Sequence, residues 1–340
     1  MPKRRKIVSI KDVAKRAGVS LSTVSFALND PDRVAVDTRR HVLRIARELE
    51  YSRIKKHGKK GYLGIVTDDN YNLIFGEFYN WVVFGILEEL KARGLNVLIE
   101  STGKDPEYFP RMITKSLVDG VLFLGKSSLD VPYISKQKGI PILLVGHPIP
   151  EVEMNSIIPD GRSGTVQAIN HLIELGHKRI AIITGEPSYD PTTAERMEGY
   201  KYALAKAGLK ELNEYIVQAD FGKPETAIKL TEKLLDLPEP PTAIFCCSDS
   251  LAYRAYRAIK NRNLRIPEDI SVVGFDDIAA PEYAELPKPE LTTVRVDRIE
   301  MGRKSVELLF DLIENPGKTG FHFHLPVKLV IRRSTAPPKN

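Results

Sequence analysis

Residues 10–29, with the sequence IKDVAKRAGVSLSTVSFALN, decide the fold of the first part of the chain. Ser9 precedes apolar residues at helical spacing, so a first helix is expected to begin after Ser9 and to end at Gly18. Ser20 is the N-cap expected for a second helix, whose inner side consists of Val24, Ala27 and Leu28. Two helices joined by a tight glycine turn are typical of a helix-turn-helix, although any small helical hairpin has the same local pattern.

A third helix is predicted for residues 37–51, where apolar residues again recur at helical spacing. Its inner side consists of Val42, Leu43, Ile45, Ala46 and Leu49, and its outer side carries Arg39, Arg40, Arg44 and Arg47 toward solvent or phosphate. Three helices of this size form a minimal core. Residues 1–51 are therefore expected to be a small all-α head whose stability depends on packing or on DNA.

The basic excess of the chain lies entirely in its first part. Residues 1–60 hold 17 Lys and Arg against 6 Asp and Glu, whereas the remaining 280 residues hold 33 against 38. A polyanion-binding head on an ordinary body has this distribution of charge. The charge therefore favours a DNA-binding helix-turn-helix over a helical hairpin without that function.

Several short motifs of this segment occur in a fixed order. They are IKDVAKRAGVS at 10–20, TVS at 23–25, LN at 28–29, TR at 38–39 and LEYS at 49–52. In order and spacing they resemble the headpiece of the lactose/galactose repressor family, and the resemblance extends more loosely along nearly the whole chain. It implies a sequence-specific DNA-binding protein.

The residues expected to contact DNA lie at the start of the second helix and around it. They are Ser9, Leu21, Ser22, Thr23, Ser25, Phe26, Asn29, Thr38 and Arg39, with Lys55 and Lys56 from the following segment. Members of the family commonly have Arg or His where Phe26 stands. A phenyl ring can pack on a thymine methyl but cannot bind guanine in a bidentate manner, so a shifted operator preference is expected. The alternative is that Phe26 belongs to the core of the head.

Residues 52–61, SRIKKHGKKG, have the composition of a basic linker. Family members usually have a longer segment here, with an Ala-Arg-x-Leu run that folds on DNA and inserts a leucine into the minor groove. This segment is several residues shorter and lacks that leucine. Instead of a hinge helix, phosphate contacts are expected from the linker lysines Lys55, Lys56, Lys59 and Lys60.

From residue 62 onward, apolar strands alternate with amphipathic helices, a pattern that predicts parallel sheets covered by helices. Strands are expected at 63–67, 97–100, 120–124, 142–145, 180–184, 243–246 and 271–275. Helices are expected at 78–93, 108–117, 161–175, 194–207, 224–235, 250–262 and 299–314. The pattern restarts near Arg179, so two similar lobes are predicted.

The resemblance implies that these lobes form an α/β sensor like the periplasmic sugar-binding proteins. It places chain crossings near 157–162, 291–295 and 322–325. Lobe 1 then comprises about 62–160 and 293–321, and lobe 2 about 161–292 and 322–340. Ligands of such sheets bind at the carboxyl ends of strands, and the cleft between two lobes is the natural pocket.

By resemblance, Asp276 and Arg196 are effector contacts. Asp276 directly follows the strand VVGF, where a carboxylate can accept two hydroxyl hydrogen bonds. The alternatives are a helix N-cap for Asp276 and a surface cation for Arg196. Weaker expectations for the same pocket are Asp69, Tyr79, Lys126, His147, Asp160, Asp190, Phe221 and Ser248.

Carboxylates, a few cations and aromatic faces suit a polyhydroxylated ligand such as a sugar. Asp190 occupies the place where a purine-sensing relative has arginine, so a purine effector is disfavoured. The weaker positions also have ordinary structural explanations. Asp190 precedes a proline and can shape a turn, Phe221 can lie in the core, and Lys126 and His147 can be solvated.

The expected function is that of an effector-responsive transcriptional repressor of sugar-utilisation genes, acting as a cytoplasmic homodimer on operator DNA. A solute-binding protein of a transport system is the alternative, but the sequence shows no export signal and no apolar run of membrane-spanning length. An enzyme is not expected, because no GxGxxG follows a strand and no P-loop is present. No cofactor or metal is expected, since the only cysteines are adjacent, Cys246 and Cys247.

Overall fold

The computed structural model describes residues 9–29, 33–49, 61–67, 78–102, 109–125, 135, 137–149, 154–185, 191–220, 223, 225–278 and 288–339. The side chains of residues 29 and 47 are outside this description. The chain divides into two compact units. Unit 1 comprises Met1–Ile157 and Ile299–Phe323, and unit 2 comprises Ile158–Arg298 and His324–Asn340.

The head of unit 1 contains three helices, as the sequence predicts. They are α1 (Ile10–Ala17), α2 (Leu21–Asn29) and α3 (Val36–Glu48). The Oγ of Ser9 accepts from the backbone N–H of Asp12, and the Asp12 carboxylate accepts from the N–H of Ser9, which together form a capping box. Gly18 ends α1 with a φ of 66°. The Ser20 Oγ caps α2 by accepting from the N–H of Thr23 at 3.0 Å.

The apolar sides predicted for these helices form the core of the head. The buried residues are Val13, Ala14, Ala17, Val24, Ala27, Leu28, Val42, Leu43, Ile45 and Ala46. They are small or branched and lie at spacings of three and four, so each short helix buries one stripe against the other two. The third helix ends at Glu48, three residues before the predicted end.

The rest of unit 1 is built on a parallel sheet. Its elements are β1 (Tyr62–Thr67), α4 (Tyr79–Ala92), β2 (Asn96–Ser101), α5 (Arg111–Thr114), β3 (Gly120–Leu124), β4 (Ile142–Val145) and β5 (Ser156–Pro159). Among the described residues the sheet has six strands, in the order β11-β5-β4-β3-β1-β2, where β11 is His322–Leu325. Strands β1 to β5 pair in parallel. The strand order therefore switches direction at β1, which is typical of doubly wound α/β sheets.

Unit 2 repeats this arrangement. Its elements are α6 (Gly161–Glu174), β6 (Ile180–Thr184), α7 (Pro191–Lys206), β7 (Ile216–Gln218), α8 (Thr226–Leu235), β8 (Ala243–Cys246), α9 (Asp249–Asn261), β9 (Ser271–Asp276) and β10 (Thr292–Arg295). They are followed by α10 (Arg298–Glu314), of which all but the first residue belongs to unit 1, and by β12 (Lys328–Val330). Within the described chain the order of the second sheet is β12-β10-β9-β8-β6-β7, so the predicted repetition of the pattern is confirmed.

Five strands are the part of the fold that the sequence pattern does not predict. Strands β5, β7, β10, β11 and β12 have three or four residues each and are not apolar throughout, whereas β4 and β8, also of four residues, are apolar throughout and were predicted. Strand β12 also pairs antiparallel with β10, as an edge strand. Strand β10 pairs with β9, and residues 293–298 belong to unit 2, whereas the first lobe was expected to resume at about residue 293. The chain enters unit 1 again at Ile299.

Candidate DNA-binding and effector sites

The start of α2 presents a cluster of hydroxyl groups. The Oγ of Ser20 lies 2.7 Å from that of Ser22 and 2.8 Å from the Oγ1 of Thr23. Leu21, beside them, is 44% exposed, and Ser25 one turn later is half-buried. A helix start with hydroxyl donors and an exposed apolar side chain can contact both phosphates and base edges. Leu21 and Ser22 are both exposed, as expected for residues outside the inner side formed by Val24, Ala27 and Leu28.

Phe26 lies half-buried on the outer side of α2. The guanidinium of Arg33 lies over its ring, 4.2 Å from the centroid. The ring is therefore covered by a cation, unlike the apolar residues of the head's core. This position is compatible with a contact to a base, which remains a prediction.

Arg39 does not have the orientation predicted for it. It is only 7% exposed, and its guanidinium lies 3.6 Å from the centroid of the Phe109 ring, just before α5. The outward direction predicted from helical spacing is wrong here, because stacking on an aromatic ring removes a guanidinium from water. On the same helix Arg40 and Arg44 are exposed.

The other residues predicted to contact DNA differ in their exposure and contacts, and some lie outside the described residues. Ser9 is exposed and engaged in its capping box, and Thr38 is half-buried. Asn29 is the last residue of α2. Lys55 and Lys56 lie outside the described residues.

In unit 2, Asp276 and Arg196 form a buried ion pair. Asp276 is the last residue of β9, and its Oδ1 lies 3.4 Å from the Nη2 of Arg196 on α7. Each residue is 8% exposed. The guanidinium also donates to the carbonyl of Cys247 and lies 3.9 Å from the centroid of the Phe275 ring. The alternative of a surface cation for Arg196 is therefore wrong, whereas a helix that Asp276 could cap would lie in residues 279–287, outside the described part of the chain.

Burial controls the ionisation of this pair. It raises the pKa of Asp276 to about 6, against the opposing effects of Arg196 and Arg298. Asp249 is fully buried nearby, and desolvation together with the charge of Asp276 raises the pKa of Asp249 well above its usual range. The cluster thus holds two carboxyl groups whose charge is costly in the absence of a further donor.

Two other predicted effector residues cap helices. The Oγ of Ser248 accepts from the N–H of Leu251 at the start of α9, at 3.2 Å. The Oδ1 of Asp160 accepts from the N–H of Ser163 at the start of α6, at 2.9 Å. Both residues follow strands at the carboxyl edge of a sheet, where capping and ligand contact can be combined.

In unit 1 the structure brings two predicted residues together. The hydroxyl of Tyr79, the first residue of α4, lies 2.8 Å from the Nδ1 of His147, which follows β4. Gly146, directly before His147, has a φ of 90°, and a Cβ at this position would lie 2.5 Å from the Tyr79 hydroxyl. A glycine is therefore required for this close approach. Asp69, Lys126, Asp190 and Phe221, also predicted for the pocket, lie outside the described residues.

Sequence reasoning missed Asp249 and Asp277. Asp249 accepts from the Oγ1 of Thr293 at 2.6 Å and from the N–H of Ile278 at 2.8 Å. Asp277 is held by Arg295 and Arg332 at 2.6 and 2.7 Å. The signals that could have revealed them are the SDS motif at 248–250 and the tandem DD at 276–277, since an aspartate beside a buried strand seldom lacks a partner.

Comparison with known proteins agrees with this architecture. Residues 9–53 match the model of the family described as "Bacterial regulatory proteins, lacI family", and residues 169–335 match the "Periplasmic binding protein-like domain". The chain is 34% identical to the HTH-type transcriptional repressor CytR of Escherichia coli strain K12, over 98% of each protein. The chain belongs to the lacI family. It is also 31% identical to the ribose operon repressor of Haemophilus influenzae strain KW20, over 96% of this chain and 98% of the relative.

Solved structures of lacI-family regulators have the same fold. The CelR–cellobiose complex matches with a TM-score of 0.73 and 31% identity, over 96% of this chain and 99% of the other. The lac repressor dimer bound to operator matches with a TM-score of 0.66 and 27% identity, over 97% and 100%.

This lacI-family chain is a DNA-binding transcriptional repressor with a domain for a small-molecule effector. The match to the lacI headpiece disfavours a transport solute-binding protein, because such a protein has no use for a helix-turn-helix. Within the described part of the chain, no cluster of three or more His, Cys, Asp or Glu side chains is arranged to hold a metal ion. Among the described helices, none combines the length and apolarity that crossing a membrane requires.

Proposed function

We propose that this repressor controls sugar-utilisation genes and is regulated by a carbohydrate-like effector that binds at Asp276 and Arg196. The observation that carries the proposal is the buried ion pair at the carboxyl end of β9. A carboxylate there can accept two hydroxyl hydrogen bonds, and a guanidinium can donate to ring or hydroxyl oxygens. Adjacent hydroxyls of a sugar match both groups.

Desolvation supports a polar ligand at this position. A carboxylate with a pKa near 6 is short of donors, since hydrogen bonds to the charged form would lower its pKa. Effector hydroxyls would supply those donors and offset the free-energy cost of burying the charged carboxylate. Similar regulators have been solved with cellobiose and, in the case of a regulator from Enterococcus faecium, with ribose.

The DNA half of the proposal rests on the start of α2. We infer that Ser22, Thr23 and Ser25 contact phosphates or base edges, while Leu21 and Phe26 face the major groove. The linker lysines Lys55 and Lys56 would add phosphate contacts and salt dependence. Because its target is operator DNA, the protein would act in the cytoplasm, and the proposal gives it no enzymatic role.

We further infer that the protein acts as a homodimer, as the lac repressor solved on its operator does. Helix α4 of unit 1 carries Trp81, Phe84 and Leu87 on its exposed side, at least 40% accessible each. Three large apolar side chains along one exposed stripe are typical of a surface that a second copy covers. Sedimentation equilibrium should therefore show a dimer that the double substitution Trp81→Ser with Phe84→Ser weakens.

The effector is tested first by a thermal-shift screen of the full chain with monosaccharides, disaccharides, sugar acids and purines. A ligand that binds only the native state raises the transition temperature in a saturable manner. We expect one carbohydrate class to do so, and to change the affinity for operator DNA selected from a random library. Stabilisation by a purine but by no carbohydrate would contradict the proposed effector chemistry while leaving DNA binding intact.

A further inference from the structure

Two consecutive residues at the end of β9 have a left-handed backbone. Asp276 has a φ of 107° and Asp277 a φ of 56°. Residues with a Cβ rarely adopt such angles, and they do so only where the surrounding structure holds them. The direction of the Asp276 carboxyl group, and hence its pairing with Arg196, depends on this strained turn.

Asp277 makes the contacts that hold the turn. Its Oδ2 accepts from the Nε of Arg295 at 2.6 Å, and its Oδ1 accepts from the Nη2 of Arg332 at 2.7 Å. Its carbonyl oxygen accepts from the Nη2 of Arg298 at 3.0 Å. Burial alone would raise the pKa of Asp277, but the hydrogen bonds from the two guanidiniums outweigh it and lower the pKa. The charged form that makes these bonds is thus the stable one.

Asp249 fixes the next residue of the same turn. Its Oδ2 accepts from the N–H of Ile278, and its Oδ1 accepts from Thr293 on β10. Asp249 is buried, so both of these bonds are shielded from water. The turn is therefore held on one side by the arginines around Asp277 and on the other by Asp249.

We propose that Asp277, clamped by Arg295 and Arg332, is the positioning residue that holds the Asp276 carboxylate in its left-handed turn beside Arg196. This inference rests on the proposed function, because it assigns a role toward the effector contact. It also has a consequence for regulation. Arg295 ends β10 and Arg298 is the last residue of unit 2 before the chain enters unit 1, so the clamp joins the effector contact to that exit segment.

The test is an NMR titration of the Asp276 carboxyl carbon in the effector-free, full-length protein labelled at aspartate carboxyl carbons. Asp276→Asn assigns the signal. The test variant combines Arg295→Gln with Arg332→Gln, which removes both guanidiniums from Asp277. The wild-type pKa should lie near 6. The groups that face Asp276 directly, Arg196, Arg298 and Asp249, stay unchanged in the variant.

The loss of the two positive charges and the release of the turn have opposite effects on the pKa of Asp276. Loss of two cations would by charge alone raise the pKa of Asp276, whereas release of the turn would expose the carboxyl group and lower its pKa toward the ordinary value. We expect a fall of about one unit or more. Arg262→Gln is the control, because Arg262 also donates two hydrogen bonds to an aspartate of the same unit, Asp236, at 2.6 and 2.7 Å. The control should leave Asp276 unchanged, and an unchanged or raised pKa in the double variant would overturn the proposal.

A crystal structure of Asp277→Asn serves if the double variant does not fold. We expect Asp276 to leave the positive φ and its Oδ1 to separate from Arg196. Retention of both would overturn the proposal. Neither experiment contains an effector, so a failure of the carbohydrate screen and a failure of the clamp are distinguishable.

Discussion

The start of α2 in the head and the Asp276 cluster of unit 2 are built in opposite ways. The hydroxyl of Ser20 contacts those of Ser22 and Thr23 within a single turn, at the surface. The partners Arg196 and Asp276 lie 80 residues apart in the chain and are buried. A surface for DNA can thus be encoded locally and remain solvated, whereas a small-molecule site needs tertiary structure that desolvates its charges.

The largest effect that this comparison predicts is on effector binding. Asp276→Ala removes the acceptor for effector hydroxyls and leaves Arg196 buried without its carboxylate. Hydrogen bonds to charged groups contribute about 1.5–3 kcal/mol each, so the effector affinity should fall by at least about tenfold. Isothermal titration with the carbohydrate found in the screen measures the loss. Asp236→Ala, at an exposed ion pair of the same unit, is the control and should have no effect.

Measuring operator binding by Asp276→Ala tests whether the head and the Asp276 cluster act independently. Without effector, Asp276→Ala should bind operator DNA with nearly wild-type affinity, because the head is unchanged. Loss of operator binding in a folded Asp276→Ala protein would show that the two regions are not independent and would count against the assignment.

The second prediction concerns pH. The folded-state pKa of Asp276 is raised to about 6, so protons compete with effector hydroxyls for the carboxylate below that pH. The effector affinity should fall by up to about tenfold per pH unit below pH 6. Asp276→Asn should abolish this dependence. An equally steep loss in the variant would assign it to another group.

The same pKa predicts the sign of a stability effect. Because the pKa of Asp276 is higher in the folded than in the unfolded chain, protonation of Asp276 favours the folded state. The contribution of Asp276 to the free energy of unfolding is thus present in full below pH 4 and is lost as the pH rises through about 6. A bound effector should remove the loss of stability at high pH. Urea unfolding at pH 5 and pH 8, with and without effector, measures the difference in the free energy of unfolding.

The third prediction tests the local site. Phe26→Arg should shift the operator preference toward guanine at the base pair that the ring faces, because arginine binds guanine in a bidentate manner. The expected discrimination is about 1–3 kcal/mol at that base pair. Fluorescence anisotropy with singly substituted operators measures it. Phe26→Leu, which keeps an apolar contact, is the control, and an unfolded head in both variants would instead place Phe26 in the core.

The two regions also differ in how far the sequence predicts them. Ser9, Gly18 and Ser20 define the helices of the head through local capping, which needs no knowledge of the rest of the chain. The buried strands of both sheets are equally clear, because four or more apolar residues occur together. Strands of three residues such as β7 and β12 have no such signal, since pairing with a neighbouring strand creates them.

In the Asp276 cluster, the sequence does not predict the features that depend on tertiary contacts. Asp276 and Arg196 were expected from the family resemblance, whereas the burial of their pair follows from tertiary contacts such as those of Arg196 with the Phe275 ring and the Cys247 carbonyl. The roles of Asp249 and Asp277 depend on hydrogen bonds to Thr293, Arg295 and Arg332, which come from distant parts of the chain. Local propensity contains no information about such partners.

The smallest predicted effect concerns Arg39, a described head residue whose orientation is not determined locally. Arg39 is stacked on Phe109, and it must leave that ring in order to reach a phosphate. A cation–π contact contributes about 0.5–2 kcal/mol, so Phe109→Leu should raise the operator affinity severalfold and make it more dependent on salt. In an Arg39→Ala background the same substitution should have no effect, because no guanidinium remains to be released. If Phe109→Leu changes the affinity equally in both backgrounds, the ring acts on the head through packing, and Arg39 would no longer be an exception to the local encoding of the DNA-binding surface.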